Sequence, residues 1–199
     1  MTTIKKVLLA FLLLILCSCN LYYILGLKES KNESINEVEL FLDNKNYKYD
    51  KSVMMNDSLL WMRETSEYIY SERSKIISGL EIRIFDSLGN YYTSFSQCHG
   101  DFEEKGYLHD IPILKNTQQD YINQTLSLNK ELNLLNLTEF EKKDIKSEVK
   151  KYRYTIVVYY VIWANHLSKR VLKDVSEFKK RFPNQVYVLL SNVSTDTGS

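Results

Sequence analysis

The sequence predicts an α/β domain, a mixed sheet with flanking helices, preceded by an N-terminal hairpin and helix. Three observations carry this. Thr155-Ile156-Val157-Val158-Tyr159-Tyr160-Val161-Ile162-Trp163 is a continuous apolar run of β-branched and aromatic residues, the pattern of a strand buried on both faces. Gln185 to Val193 is a second such run, and between the two Leu167, Val171, Leu172, Val175, Phe178 and Phe182 form one apolar stripe at helical spacing. Leu80 to Phe85 alternates, Tyr91 to Phe95 is rich in strand formers, and Asp86-Ser87-Leu88-Gly89-Asn90 between them reads as a turn.

Taken from the start, the chain opens on Lys5 and Lys6, a positive flank for the apolar run Val7 to Leu16. That run is shorter than the roughly 20 apolar residues a transmembrane helix needs, and has the length of a secretory signal core. Leu16-Cys17-Ser18-Cys19 follows. It resembles the lipobox of bacterial lipoproteins, in which small residues let a peptidase reach the bond before a cysteine that carries diacylglycerol. The resemblance implies cleavage between Ser18 and Cys19 and lipidation of Cys19. Cys17 is the weaker alternative, because the residue before it, Leu16, is not small. No Ala-x-Ala-like site for ordinary cleavage is present. The expected organisation is a signal peptide over 1–18, a lipid anchor and flexible tether over 19–35, and one α/β domain over 36–199 with its core at about 80–199. The protein is expected in the cell envelope, held to a membrane by its N-terminal lipid and facing the periplasm or exterior.

Removing residues 1–18 takes away two lysines and no acidic residue, so the net charge goes from +1 to −1. A near-neutral chain with interspersed charges lacks the Lys/Arg excess that phosphate binding needs, so no nucleic-acid partner is expected. Of three cysteines, one leaves with the signal peptide and one takes the lipid. Cys98 is left alone and no intrachain disulfide is expected.

The remaining elements follow in order. Lys28 to Ser34 has no apolar periodicity and reads as tether. Val38 to Leu42 and Tyr47 to Tyr49, around Asp43-Asn44-Lys45-Asn46, predict a hairpin. Asn56 or Asp57 caps a helix through about Ser78, with Leu60, Trp61, Tyr68, Ile69, Ile76 and Ile77 at helical spacing and Gly79 beyond its end. Gln97 to Lys115 is irregular. Thr117-x-x-Asp120 and Thr138-x-x-Glu141 resemble capping boxes and predict helices over about 118–134 and 139–150. Asn165 is placed to cap the helix between the two buried runs.

The stretch from Val157 to Lys169, with Phe178 and Val186 to Val193, resembles the β-α-β start of thioredoxin-like proteins. In that family an apolar strand ends in Trp-Cys-x-x-Cys, opens a helix, and returns as a strand ending near Asn-Val-Asp. Here Asn192-Val193-Ser194 stands at the last position, and the turn after Trp163 reads Ala164-Asn165-His166-Leu167. Ala164 and Leu167 occupy the two cysteine positions. Dithiol exchange needs both a thiolate and a resolving thiol, so the family's oxidoreductase activity does not carry over. The family's cis-proline also has no counterpart, since Gly79 precedes Leu80. A hairpin placed before the β-α-β unit rather than after it implies a circular permutation, with the 80–95 hairpin beside the 155–163 and 185–193 strands.

Candidate sites are few. Cys98 in Gln97-Cys98-His99-Gly100 is a candidate thiol site, because an imidazole beside a thiol can lower its pKa. A buried structural cysteine is the commoner use of a free Cys. His99, His109 and His166 match no metal-ligand spacing, so no metal and no cofactor is expected. Asp57-Ser58-Leu59 and Asp86-Ser87-Leu88 fit a short pattern resembling O-glycosylation sites of some exported bacterial proteins. The expected role is a non-catalytic binding or scaffold domain with an envelope protein as partner. The alternatives are a thioredoxin-like protein acting through Cys98 and a small-ligand carrier.

Overall fold

A computed structural model of the chain describes residues 33–55, 80–96 and 127–193. The lipobox, the tether up to residue 32, the predicted 56–78 helix, the 97–115 segment with Cys98, His99 and His109, and the first part of the predicted 118–134 helix lie outside the described residues.

The described elements, in chain order, are α1 (Ile35–Asp43), β1 (Lys51–Met54), β2 (Glu81–Asp86), β3 (Tyr91–Ser96), α2 (Leu128–Leu134), α3 (Glu139–Glu148), β4 (Tyr154–Tyr160), α4 (His166–Arg181) and β5 (Val186–Asn192). Short 3-10 turns follow α3 at Val149–Lys151 and β4 at Ile162–Ala164. The strands form one mixed sheet in the order β1-β5-β4-β2-β3. β1 runs parallel to β5 and β5 parallel to β4, while β2 is antiparallel to both β4 and β3. The 81–96 hairpin therefore belongs to the same sheet as the β4-α4-β5 unit.

All seven residues of β4 and all seven of β5 are buried, as continuous apolar runs with cover on both faces require. Alternation divides the sheet into two sides. Thr155, Val157 and Tyr159 share a side with Glu81, Arg83 and Phe85, and Glu131 of α2 reaches that side. Tyr160 is on the other, where Phe41 of α1 stacks on it at 6.4 Å. The α4 helix runs beside the segment leading into β1, and its Ser176 Oγ accepts the Lys48 N–H at 2.8 Å.

Four expectations are corrected. The first concerns residues 38–49, where helix α1 (Ile35–Asp43) stands in place of the predicted hairpin. Ser34 and Glu37 make a reciprocal capping box, Ser34 Oγ accepting the Glu37 N–H and Glu37 Oε2 the Ser34 N–H. Val38 and Leu42, four apart, are buried together, whereas Leu40 is 63% exposed. Tyr47 to Tyr49 is not a strand, and the edge strand begins two residues later at Lys51. Second, the folded part begins before residue 36, since Glu33 is only 5% exposed. Third, the described part of the predicted 118–134 helix is helical only from Leu128. Ser127 is extended, bridges Asn90, and caps a helix that starts at Leu128. Fourth, the β4 run stops at Tyr160, short of Trp163, because the chain tightens into the 162–164 turn. The other capping box, Thr138 with Glu141, is present at α3.

Candidate functional site

The predicted family turn lies at the carboxyl end of β4, beside the carboxyl end of β5. In open α/β sheets this is where ligands bind. Ala164 is buried, Leu167 half-buried and His166 exposed on the first residue of α4. Asn165 holds φ at +35°, in the left-handed region, and its side chain makes no capping hydrogen bond. Its contribution is the bend itself, which turns the chain from the 162–164 turn into α4; the expected side-chain cap is absent. The helix start is tied down by Ser168, whose hydroxyl donates to the Val161 carbonyl. None of the four turn residues, Ala164 to Leu167, offers a thiol.

The polar chemistry at this edge comes from residues that local pattern does not flag. Glu33 Oε1 accepts the Trp163 N–H at 2.8 Å, and Glu33 Oε2 accepts from the Asn192 side-chain amide at 2.6 Å. Asn192 pairs in register with Tyr160, and both side chains are fully buried. Among the described residues, Asn192 Oδ1, Tyr160 Oη and Trp163 Nε1 are buried and have no hydrogen-bond partner. Ser52 lies close to the Tyr160 hydroxyl but outside hydrogen-bonding geometry. Burial raises the Tyr160 pKa above its ordinary value, the nearby Ser52 hydroxyl opposes this, and the charge of Glu33 adds to it. The phenol is thus a neutral hydroxyl.

A second polar cluster is sealed on the opposite side of the sheet. Arg83 is 1% exposed. Its Nε donates to Glu81 Oε1 at 2.7 Å, its Nη2 to Glu81 Oε2 at 3.2 Å, and its Nη1 to Glu131 Oε1 at 2.6 Å. The Tyr159 hydroxyl donates to Glu131 Oε2, and the guanidinium carbon sits 5.0 Å from the Tyr159 ring centre. Burial by itself would lower the Arg83 pKa, but the Glu81 and Glu131 carboxylates outweigh it and raise it, so the guanidinium stays charged. Burial and the Glu131 charge push the Tyr159 phenol up. The arrangement holds the guanidinium charge in place.

Among the described residues no group of three His, Cys, Asp or Glu side chains could hold a metal ion, and no helix is long and apolar enough to cross a membrane. Cys98 lies outside the described residues. In the sequence Glu33 falls in the expected tether, and Glu81 and Arg83 fall on the polar side of an alternating strand. The available signal for the second cluster was the opposite charges at i and i+2, which share one side of a strand. No family model matches the chain, and no curated protein and no solved structure matches it.

Proposed function

We propose that this chain is a bacterial lipoprotein, anchored through lipid on Cys19, whose folded part is a circularly permuted thioredoxin-like domain serving as a non-catalytic scaffold for another envelope protein. The strand order supports the fold reading. Two parallel strands joined by α4 carry an antiparallel hairpin on one flank and β1 on the other. That is the arrangement expected if the family's closing hairpin preceded its β-α-β unit. The non-catalytic reading is carried by one observation. The turn at the carboxyl end of β4 reads Ala164-Asn165-His166-Leu167 and contains no thiol. The anchor rests on Lys5, Lys6, the Val7 to Leu16 run and Leu16-Cys17-Ser18-Cys19.

Two measurements test the reading. Cells given labelled palmitate should label the full chain, and Cys19→Ala should abolish the label; label that persists in the variant removes the anchor from the proposal. Thiol labelling of the folded protein tests the scaffold role. Cys98 protected until denaturation supports it. Fast labelling at neutral pH would favour a redox role through that single thiol.

A further inference from the structure

We propose that the carboxyl edge of β4 and β5 is a carboxylate-binding site, filled in this structure by the chain's own Glu33, and that a carboxylate ligand competes there with the N-terminal junction of the domain. The receptor is built by the sheet. β4 ends at Tyr160, so the Trp163 N–H, in the turn beyond it, has no ladder partner. Asn192, the last residue of β5, sets its amide beside it. The two donors meet the two oxygens of one carboxylate, at 2.8 and 2.6 Å. A donor on each of the two oxygens suits a planar, two-oxygen anion better than a spherical one.

Glu33 comes to this receptor from outside the sheet. It precedes the α1 cap Ser34 by one residue, and its two partners are 130 and 159 positions along the chain. The receptor also has more polar capacity than Glu33 uses. Asn192 Oδ1 and Tyr160 Oη are fully buried beside it and have no partner among the described residues. A clamp with only a structural purpose is expected to satisfy such groups or replace them with apolar ones, because an unpaired buried polar atom costs as much as the hydrogen bond it forgoes. The adjacent Asn165 is held at φ +35°, the kind of backbone strain found at ligand sites. Since the carboxylate of Glu33 and that of a ligand would occupy the same donors, ligand binding must lift Glu33 and loosen the start of α1. Each weakens the other by the same factor.

The test is thermal unfolding of the full chain, wild type and Glu33→Ala, in sodium formate and in sodium chloride at equal ionic strength. Glu33→Ala should melt below the wild type, and formate should raise its midpoint in a saturating way that chloride does not reproduce. The wild type, already occupied, should show no such difference between the salts. Glu33→Gln should melt close to the wild type and ignore formate. Its amide oxygen can accept the Trp163 N–H while its NH2 donates to Asn192 Oδ1, once that amide rotates. Acetyl-Glu-Ser-Ile-Asn-amide, the sequence of residues 33–36, replaces formate in a second arm. Rescue at lower concentration than formate assigns the site to acidic side chains, and rescue by formate alone assigns it to small acids. Equal response of Glu33→Ala to formate and chloride, with none to the peptide, overturns the proposal, as does a Glu33→Ala midpoint equal to the wild type. If Glu33→Ala is recovered unfolded, its refolding yield is compared in the same solutions, and a yield no higher in formate or peptide than in chloride also overturns it.

Discussion

Arg83 and Glu131 meet at 2.6 Å across 48 positions of sequence, with side chains only 2% and 1% exposed. The bond fastens α2 to the central part of the sheet. It is supported by Glu81 on the same strand as Arg83 and by the Tyr159 hydroxyl. A buried ion pair of this kind is costly to assemble and costlier to break on one side, since the surviving charge stays desolvated.

Arg83→Met should therefore lower the unfolding free energy by about 3–5 kcal/mol, because it strands the buried carboxylates of Glu81 and Glu131. Arg83→Lys should recover only part of this, as an ammonium cannot supply the fork that Glu81 accepts from Nε and Nη2. Urea unfolding of the three proteins measures both. Equal midpoints for wild type and Arg83→Lys would refute the role given to the fork.

Glu141 joins α3 to the edge strand through Lys51 Nζ at 3.0 Å and closes the Thr138 capping box. The Thr138 backbone N–H, then Lys51 and the Thr138 hydroxyl, lower its pKa from 4.5 to about 2. A carboxyl held lower in the folded state than in the unfolded one adds stability above the unfolded value and loses it as pH falls through the folded value. The stability gap between wild type and Glu141→Gln should thus be full at neutral pH, shrink below pH 4.5 and vanish near pH 2. Denaturant titrations at several pH values read this directly, and a gap that stays constant to pH 2 contradicts it.

Asn165 at φ +35° should be replaceable by glycine with little loss, whereas Asn165→Ala should cost roughly 1–2 kcal/mol from the left-handed backbone alone. Thermal melting of the two variants ranks them. An alanine variant as stable as the glycine one would show that the turn relaxes out of that conformation.

Phe178 is fully buried on α4 and packs on Phe182 with ring centres 4.9 Å apart. Phe178→Ala should destabilise by about 3–5 kcal/mol, the transfer loss plus the cavity left behind, while Phe178→Leu should cost much less. Calorimetry of both variants checks the order.

Local chemistry alone determined the β4-α4-β5 unit, the 81–96 hairpin and the α3 capping box. Each of these signals is complete within a few residues: a continuous apolar run, a 3.6-residue stripe, turn residues between strand formers, a Thr and a Glu three apart. Residues 38–42 show where such signals run out. Five mostly apolar residues fit a strand period nearly as well as a helical one, and the Ser34–Glu37 cap with the burial of Val38 and Leu42 decided for the helix. Tertiary structure alone decided that Lys51–Met54 is the edge strand, since a four-residue segment is a strand only by pairing with β5, more than 130 positions away. It also decided that Glu33, Glu81, Arg83 and Glu131 are buried. A charged side chain reads as solvent-facing in sequence, and only the partners that other elements bring to it make its burial tolerable.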